Sequence, residues 1–580
     1  NKLKTVEISN KKKDLSYEII KKVIENKAKY QEQFIMQKRS IYVKSKENNT
    51  YLKKEKNKDS ELEEENAYPF SKTDSIPKYN LFEGEFVQHI QKPKGFKEEK
   101  IAAKKYGNQR SLFFTTTTEA NFDFNQNLIF CKKLGDNSYI SPISNSALLA
   151  YKYRLIGSRF EKGKKIYKIK VIPRKMGNAL FKGTIEVWDS LFAIKSVQLQ
   201  VNKNSLVLYE KFSIAQDYAL IEDKHLCINE LYTWEIKTNS VKTEGECTVI
   251  YDKYLFDSLY AKRFFNAEIG TTKEDAYEKD TAYWDDIRPL PLTDDEYAFM
   301  QYQDSLMRLR TSKVYLDSID SVFNKITWIK ALWEGFGIIN REKKTLLTFD
   351  PAIGLLDPLA IGGFRLRYSA SYFKKFENRK AIRISPFLNY GFRNQDVKGN
   401  IGVWHLYDPK KQSSFSINAG NYFGFVNNFA TISDIFNRNN FFEESYLSIY
   451  HRTELFNGFY LGTGLRNTIR KDLGDFKFNP EFDEVFENNK AQTFDTHSAA
   501  ILNIRVSYTP QQLYIQEPKE KIILGSRFPT FRLNYRQGLD NLFGSSAIFK
   551  TLDFSISQKF NIGIIGSSEY NINLGGFLDT

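Results

Sequence analysis

Six arginines, Arg365, Arg367, Arg383, Arg505, Arg532 and Arg536, occupy alternate positions in segments whose intervening positions are mostly apolar. A guanidinium presents five N–H donors in a planar fork, so a group of them on one face can hold carboxylate or phosphate, or line a path for anions. The same forks can instead be consumed by carboxylates of their own chain or by an internal plug, which is the simpler reading. In a membrane-crossing strand they have to face away from lipid, because an arginine at mid-depth costs about 2–4 kcal/mol.

Other reactive side chains are present without the spacing that catalysis or metal binding needs. His89, His225, His405, His451 and His497 show no metal-ligand spacing and read as polar strand or loop residues. Gly462-Thr463-Gly464 lacks the third glycine of a phosphate-cradling loop, and no Gly-x-Ser-x-Gly elbow leads into a helix. Ser141 before Pro142 reads as a turn. Asp285, Asp286, Asp294, Asp295 and Glu296 are acidic enough for calcium but lack alternating ligand positions, so a solvated helix start is the default. Cys131, Cys227 and Cys247 form no CxxC pair, leaving buried free thiols or a single Cys227–Cys247 bridge. No catalytic, cofactor-binding or metal-binding residue is assigned, and a non-enzymatic role is expected.

These side chains must be positioned by a chain of 580 residues, long enough for two or more folded units. Mean hydropathy is −0.49, and no apolar run approaches the roughly 18 residues of a membrane helix. Aromatic residues reach 15%, which suits the aromatic girdles of β-barrels, whose apolar residues are hidden by alternation. The net charge of +15 is spread along the chain and interrupted by acidic runs such as Glu63 to Glu65. It reads as solvated surface that can meet anionic lipid or lipopolysaccharide, and no nucleic-acid partner is expected.

Along the chain, Leu3 to Ile8 has the pattern of a strand without a nearby partner. Asp14 can cap a helix carrying Leu15, Ile19, Ile20, Val23 and Ile24 on one face. A strand is expected over Phe34 to Val43, followed by a polar, disordered excursion near 44–78. Short strands, among them Tyr167 to Ile172, Gly183 to Trp188, Ile194 to Val201 and Leu226 to Ile236, with helical segments near Ala102 to Tyr106 and Ser146 to Tyr153, predict a curved antiparallel sheet with helices. This gives an α+β periplasmic domain over 11–290. Pro289 and Pro291 hold the chain extended, Thr293 and Glu296 have capping-box spacing, and 291–345 reads as a helical linker whose Trp328 and Trp333 suit a membrane interface.

From about Leu346 the period becomes two. Phe364, Leu366, Tyr368, Ala370 and Tyr372 alternate with Arg365, Arg367, Ser369 and Ser371, and the same split recurs around Ile382 to Tyr390, Phe415 to Ala419, Leu502 to Tyr508, Phe531 to Tyr535, Leu552 to Ile556 and Tyr570 to Leu574. Asn457-Gly458 is a hairpin signal that asks both residues for positive φ and fits a periplasmic turn, whereas Arg470 to Ser498 reads as an extracellular loop. The pattern predicts an antiparallel transmembrane β-barrel over 346–580 of about eleven strands, incomplete at its C-terminal end.

Several stretches together resemble an uncharacterised Bacteroidota outer-membrane family, usually preceded by a carboxypeptidase-regulatory-like β-sandwich. They are Ile19-Ile20-Lys21-Lys22-Val23-Ile24-Glu25-Asn26-Lys27, Ile140-Ser141-Pro142-Ile143-Ser144-Asn145-Ser146-Ala147 with Tyr151-Lys152-Tyr153, Ile169-Lys170-Val171-Ile172-Pro173, the Tyr283 to Thr293 stretch, and Glu454-Leu455-Phe456-Asn457-Gly458. The resemblance implies that residues 1–10 are the last strand of a preceding β-sandwich, that the protein lies in the outer membrane with its N-terminal region in the periplasm, and no reaction or cofactor. Two roles are then expected: an accessory or scaffold subunit of an envelope complex, in outer-membrane protein assembly or export, or a conduit or carrier for lipid or another solute.

Overall fold

Period-two alternation is carried through as strand in most of the chain. The computed structural model describes residues 14–51, 79–93, 95–107, 122–131, 133–135, 137–175, 179–238, 241–257, 259–357, 362–426, 437–478, 490–562 and 566–579. The expected strand at Leu3 to Ile8 and the 52–78 part of the polar excursion lie outside them. The chain divides into two compact units, residues 1–303 with 559–568, and residues 304–558 with 569–580.

The first unit begins with α1 (Ser16–Gln31), where Asp14 Oδ1 accepts the Ser16 N–H at 3.0 Å and Ile19, Ile20 and Val23 are buried. Its strands are β1 (Met36–Tyr51), β2 (Tyr79–Gln91), β3 (Gly95–Tyr106), β4 (Leu128–Ile129) and β5 (Tyr139–Ile140). After the single turn α2 (Ala147–Ala150) come β6 (Tyr151–Glu161), β7 (Lys164–Pro173), β8 (Phe181–Trp188), β9 (Ala193–Val201), β10 (Lys211–Ile221), β11 (Lys224–Lys237), β12 (Val241–Phe256) and β13 (Glu268–Thr272). In the sheet they run β13-β3-β2-β1-β12-β11-β10-β9-β8-β7-β6. One face packs on α1 and on Phe122, Phe124, Leu134, Tyr139 and Ile143, so that Ile169, Val171, Ile185, Val197 and Leu199 are buried in a continuous core. On this face the described side chains of the chain itself fill the sheet from Ile166 to Val201.

Two further helices follow, α3 (Thr281–Ile287) and α4 (Asp294–Thr311). The Thr293/Glu296 box closes as its spacing requires: Thr293 N–H donates to Glu296 Oε2 at 3.1 Å and Glu296 N–H to Thr293 Oγ1 at 3.3 Å. Glu296 is buried and salt-bridged to Lys44 (2.6 Å) and Lys46 (3.2 Å). Burial pushes its carboxyl up, but the hydrogen bonds from Lys44, Thr293 and Lys46 outweigh it and leave the group below the usual carboxylate range.

The second unit opens with α5 (Lys313–Phe323) and a π turn over Lys330–Glu334, beside which Trp328 and Trp333 are exposed. Its strands are β14 (Phe336–Asn340), β15 (Thr345–Phe349), β16 (Leu356–Asp357), β17 (Arg365–Lys375), β18 (Ala381–Gly391), β19 (Asp396–Asp408), β20 (Ser413–Phe425), β21 (Phe441–Phe456), β22 (Phe459–Lys471), β23 (His497–Tyr508), the short hairpin β24 (Leu513–Gln516) and β25 (Lys521–Gly525), β26 (Thr530–Gly538), β27 (Lys550–Ile562) and β28 (Gly566–Asp579). A meander of twelve runs β14-β15-β17-β18-β19-β20-β21-β22-β23-β26-β27-β28, with β16 paired to β17. Asn457-Gly458 joins β21 to β22, with positive φ at Gly458 (78°) and not at Asn457.

The expected fold class is thereby corrected. Strand accounts for 56% of the structure and helix for 15%, arranged in large sheets, and no distinct α+β domain precedes a barrel. Ala102 to Tyr106, read as helix from its alanines, is strand β3, paired along its length with β2, and Ser146 to Tyr153 is one helical turn leading directly into β6. Lys44 to Tyr51, inside the stretch expected to be disordered, completes β1, paired with β12 throughout and with β2 as far as Asn48. Among the described residues the meander does not close: β14 and β28 are its two ends and do not pair, and closure into a barrel requires that pairing. No disulfide joins Cys131, Cys227 or Cys247, so the Cys227–Cys247 bridge is not formed.

Two residues make the packing of the first unit testable. Trp234 lies opposite Gly245 across β11 and β12, and a Cβ on Gly245 would sit 2.1 Å from the indole Cε2. Gly245→Ala should therefore destabilise by about 1–3 kcal/mol, read as a lowered urea unfolding midpoint of the full chain. His225 is buried between Tyr218, stacked at 4.9 Å, and Trp188; its Nε2–H donates to Ile194 O at 2.6 Å, while Nδ1 has no partner among the described residues. Burial lowers its pKa from the ordinary 6.5. The unfolded chain then binds a proton that the folded chain resists, so stability should fall as pH drops below about 6.5. Unfolding midpoints at pH 7.5 and 5.5 check this, and His225→Phe should flatten the difference.

Candidate functional site

Facing residues of an antiparallel pair project to the same side of a sheet, so the strand register sorts the second unit into two faces. One carries Phe336 and Ile338, Leu347 and Phe349, Leu366 and Tyr368, Leu388 and Tyr390, Val397 and Ile401, Ile417, Leu447 and Ile449, Leu465, Leu502 and Ile504, Leu533 and Phe554. Many of these are exposed, among them Leu388, Val397, Ile401, Leu447 and Ile449. The largest apolar patch of an ordinary soluble monomer is roughly 300–600 Å², whereas here apolar side chains recur on one strand after another.

The opposite face is polar, and all six expected arginines lie on it by register, doing different things. Arg365 is 1% exposed and structural: its two terminal nitrogens donate to the two oxygens of Asp396, both at 2.9 Å, its Nε donates to Asn389 Oδ1, and its guanidinium covers Phe423. Gly391 makes room, since a Cβ there would meet the guanidinium at 2.2 Å. Arg367 lies over Phe387 and Arg536 over Phe549. Arg383 lies over Phe373 and lines a cavity of about 670 Å³ with Arg379, Trp404, Glu520 and Lys521. Lys521 in turn forms a buried ion pair with Glu454 at 2.6 Å and donates to Asn457 at 2.9 Å, tying the β24–β25 hairpin to the β21–β22 turn.

Arg505 and Arg532 line a second cavity, of about 620 Å³, with Arg452, Tyr450, Tyr460, Asn534 and Asp553. Arg452 was not among the sequence candidates, although the same alternation places it: Ser448, Tyr450 and Arg452 are the polar set opposing Leu447, Ile449 and His451 on β21. What remained out of reach was the lateral order of the strands, which alone brings Arg452 beside Arg505. The loop region Arg470 to Ser498 is partly built into the structure, with Leu473 buried against Phe423 and Phe441.

The first unit has a cavity of about 660 Å³ on the sheet face away from its core, over β7 to β11, lined by Ile172, Pro173, Lys182, Gln198, Ala215 and Leu231 among others. The histidines are accounted for by packing: His89 meets Tyr260 and Phe264, His451 bonds to Tyr407, and His405 contacts Phe415. Among the acidic candidates, Asp285 pairs with Arg288 and Glu296 with the two lysines of β1.

Comparisons with known proteins give a family and weak structural likenesses. The model of a family described as of unknown function (DUF5686) matches residues 19–254, and that of its C-terminal domain matches residues 329–580. No curated protein matches the chain. Among solved structures, a LolA superfamily protein from Nitrosomonas europaea is 10% identical with a TM-score of 0.20, covering 43% of this chain and 97% of its own. A putative outer membrane lipoprotein-sorting protein domain from Vibrio parahaemolyticus is 11% identical with a TM-score of 0.19, covering 42% and 95%. OpdQ from Pseudomonas aeruginosa is 8% identical with a TM-score of 0.20, covering 94% of each chain. Values this low carry no argument about what this chain does.

Arg365→Lys keeps the charge and loses the fork on Asp396 and Asn389. It should cost about 1.5–3 kcal/mol, measured as a drop in the thermal unfolding midpoint, whereas substitutions at exposed Arg367 should leave the midpoint within about 0.5 kcal/mol of wild type.

Proposed function

Because the chain belongs to this DUF5686 family of unknown function, we propose from its geometry that it is a non-enzymatic protein of the bacterial outer membrane that carries or conducts an amphipathic, anionic lipid or solute. The observation that supports this reading is the division of the second unit's sheet into an exposed apolar face and a polar face on which Arg452, Arg505 and Arg532 line one cavity without an ion pair among the described residues. Apolar surface of this extent is stable against acyl chains, where burial is worth roughly 25 cal/mol per Å², while an anionic group is held on the polar side. The first unit, whose core is already filled, then acts in the periplasm.

A second reading is favoured by a different feature. The 660 Å³ cavity on the first unit's sheet is open and lined by apolar atoms of Ile172, Pro173 and Leu231, a shape that suits a protein segment as well as a solute. This is the accessory-subunit role in an envelope complex, assembling or exporting outer-membrane proteins.

One preparation separates the two. The full-length protein is purified by affinity from envelopes in mild detergent, with co-purifying lipids identified by mass spectrometry and co-purifying proteins by stoichiometry. The carrier reading expects about one tightly held anionic lipid or solute per chain and no fixed protein companion. A fixed set of envelope proteins without such a ligand would establish the subunit role instead, and recovery in the aqueous fraction with neither would sink both.

A further inference from the structure

Register places three arginines of the second unit around one depression. On the polar face, a continuous cross-strand row runs Arg452, Gly462, Arg505, Asn534, Asp553 over β21, β22, β23, β26 and β27. The adjacent row runs Tyr460, Ser507, Arg532, Ser555. Directly facing residues in such rows are about 4.5–5.5 Å apart and diagonal ones about 7–8 Å. Arg505 and Arg532 are therefore diagonal neighbours, and Arg452 faces Arg505 across the one position in the row that has no side chain.

Gly462 is glycine because Tyr450 leans over it: a Cβ would lie 2.2 Å from the phenolic oxygen. The result is a floor with aromatic walls. Arg452 lies over Tyr460 at 4.7 Å and Arg505 over Tyr450 at 5.9 Å, while Arg532 donates only to Ser557 Oγ at 3.0 Å. None of the three forms an ion pair among the described residues. Asp553, the carboxylate lining this cavity, is engaged by Asn534 Nδ2 at 3.2 Å. That bond fixes the amide's orientation and leaves Asn534 Oδ1 buried and without a partner, a free acceptor inside the row.

Elsewhere on the same face Arg365 is taken by Asp396 and Arg466 and Arg470 by Glu444, whereas Arg367, Arg383 and Arg536 each lie over a phenylalanine outside this cavity. The Arg452/Arg505/Arg532 group keeps three guanidiniums against one carboxylate, an excess of two positive charges. We propose that it is a binding site for a phosphate group, whose charge of about −1.5 to −2 at neutral pH and three acceptor oxygens match that excess and those forks. Asn534 Oδ1 then accepts from a hydroxyl of the molecule that bears the phosphate. The inference deepens the carrier reading and rests on it for the ligand's amphipathic nature, while the site itself rests on the register and the unpaired charges.

The test uses the full-length protein in a neutral detergent and isothermal titration with two probes, inorganic phosphate and a short-chain phosphatidic acid. Arg452→Gln, Arg505→Gln and Arg532→Gln should each weaken binding on the order of tenfold, with the unfolding midpoint unchanged. Arg367→Gln, on the same face outside the cavity, should bind as wild type. Binding of both probes identifies the phosphate group itself as sufficient, and binding of phosphatidic acid alone identifies a lipid headgroup as the source; both support the site. No binding to wild type, or equal loss in Arg367→Gln, overturns it. If phosphate binds with this pattern but the purified protein holds no lipid, the site stands and the lipid reading falls; if lipid co-purifies equally with Arg505→Gln, the reverse holds.

Discussion

Everything in the second unit depends on unbroken antiparallel register. In a meander where each strand pairs with its sequence neighbour, facing residues share a side, so a one-residue slip anywhere would send Arg505 or Arg532 to the apolar side and Leu533 to the polar one. The register is pinned at specific points. Gly458, at φ 78°, closes the β21–β22 turn, and its N–H is held by Glu454 Oε1 at 2.8 Å. Glu454 in turn is buried against Lys521, so the turn, the strand before it and the β24–β25 hairpin share one ion pair. At the other end of the sheet Arg365 fixes β17, β18 and β19 together through Asn389 and Asp396. Buried pairs of this kind add little net stability over apolar packing, yet removing one partner is costly, which makes them effective at selecting one register.

The first unit solves the same problem with carboxylates in its interior. Glu83, fully buried, accepts from Tyr42 Oη at 2.6 Å and from Arg288 Nε and Nη2 at 2.9 and 2.8 Å. Burial and the adjacent carboxylate push the Tyr42 phenol far above its ordinary range. Glu47 accepts from Trp234 Nε1 and Asn80 Nδ2, each at 3.1 Å. Glu230, raised by burial, is surrounded by Tyr232 and Gln216. Each buried acid finds donors, which is the condition for tolerating it. These bonds reach from the sheet to elements distant in sequence, Arg288 being 205 residues from Glu83.

How much of this was legible follows from the range of each interaction. The capping box at Thr293 and Glu296 and the apolar face of α1 are local and could be read directly. So could the two-residue alternation of the C-terminal strands, including the polar placement of all six arginines, because parity along a strand is a property of sequence alone. Ala102 to Tyr106 was misread because alanine and lysine favour helix in isolation, and pairing with β2 overrode that preference. Lys44 to Tyr51 has polar residues that suit solvent, yet it pairs with β12 throughout and with β2 as far as Asn48. Closure into a barrel was inferred from strand number and alternation, neither of which contains the pairing of first with last strand. Individual fates were also hidden: nothing in the spacing of Arg365 and Arg367 says that one is buried on Asp396 and the other is exposed.

That difference bears on function. On a uniformly charged surface every arginine would be screened and interchangeable, and anion binding would be diffuse and strongly salt-dependent. Here the carboxylates are allotted unevenly. Asp396, Glu443 and Glu444 neutralise Arg365, Lys398, Arg466 and Arg470 toward one side of the sheet, and Glu454 is spent on Lys521. The cavity over β21 to β27 is left with Arg452, Arg505 and Arg532 facing a single acid, Asp553, whose partner is an amide. Two of these guanidiniums lie over aromatic rings, Arg452 over Tyr460 and Arg505 over Tyr450. The same alternation that exposes an apolar face on one side therefore concentrates positive charge on the other, and the two properties together define the chemistry of the ligand such a sheet can hold.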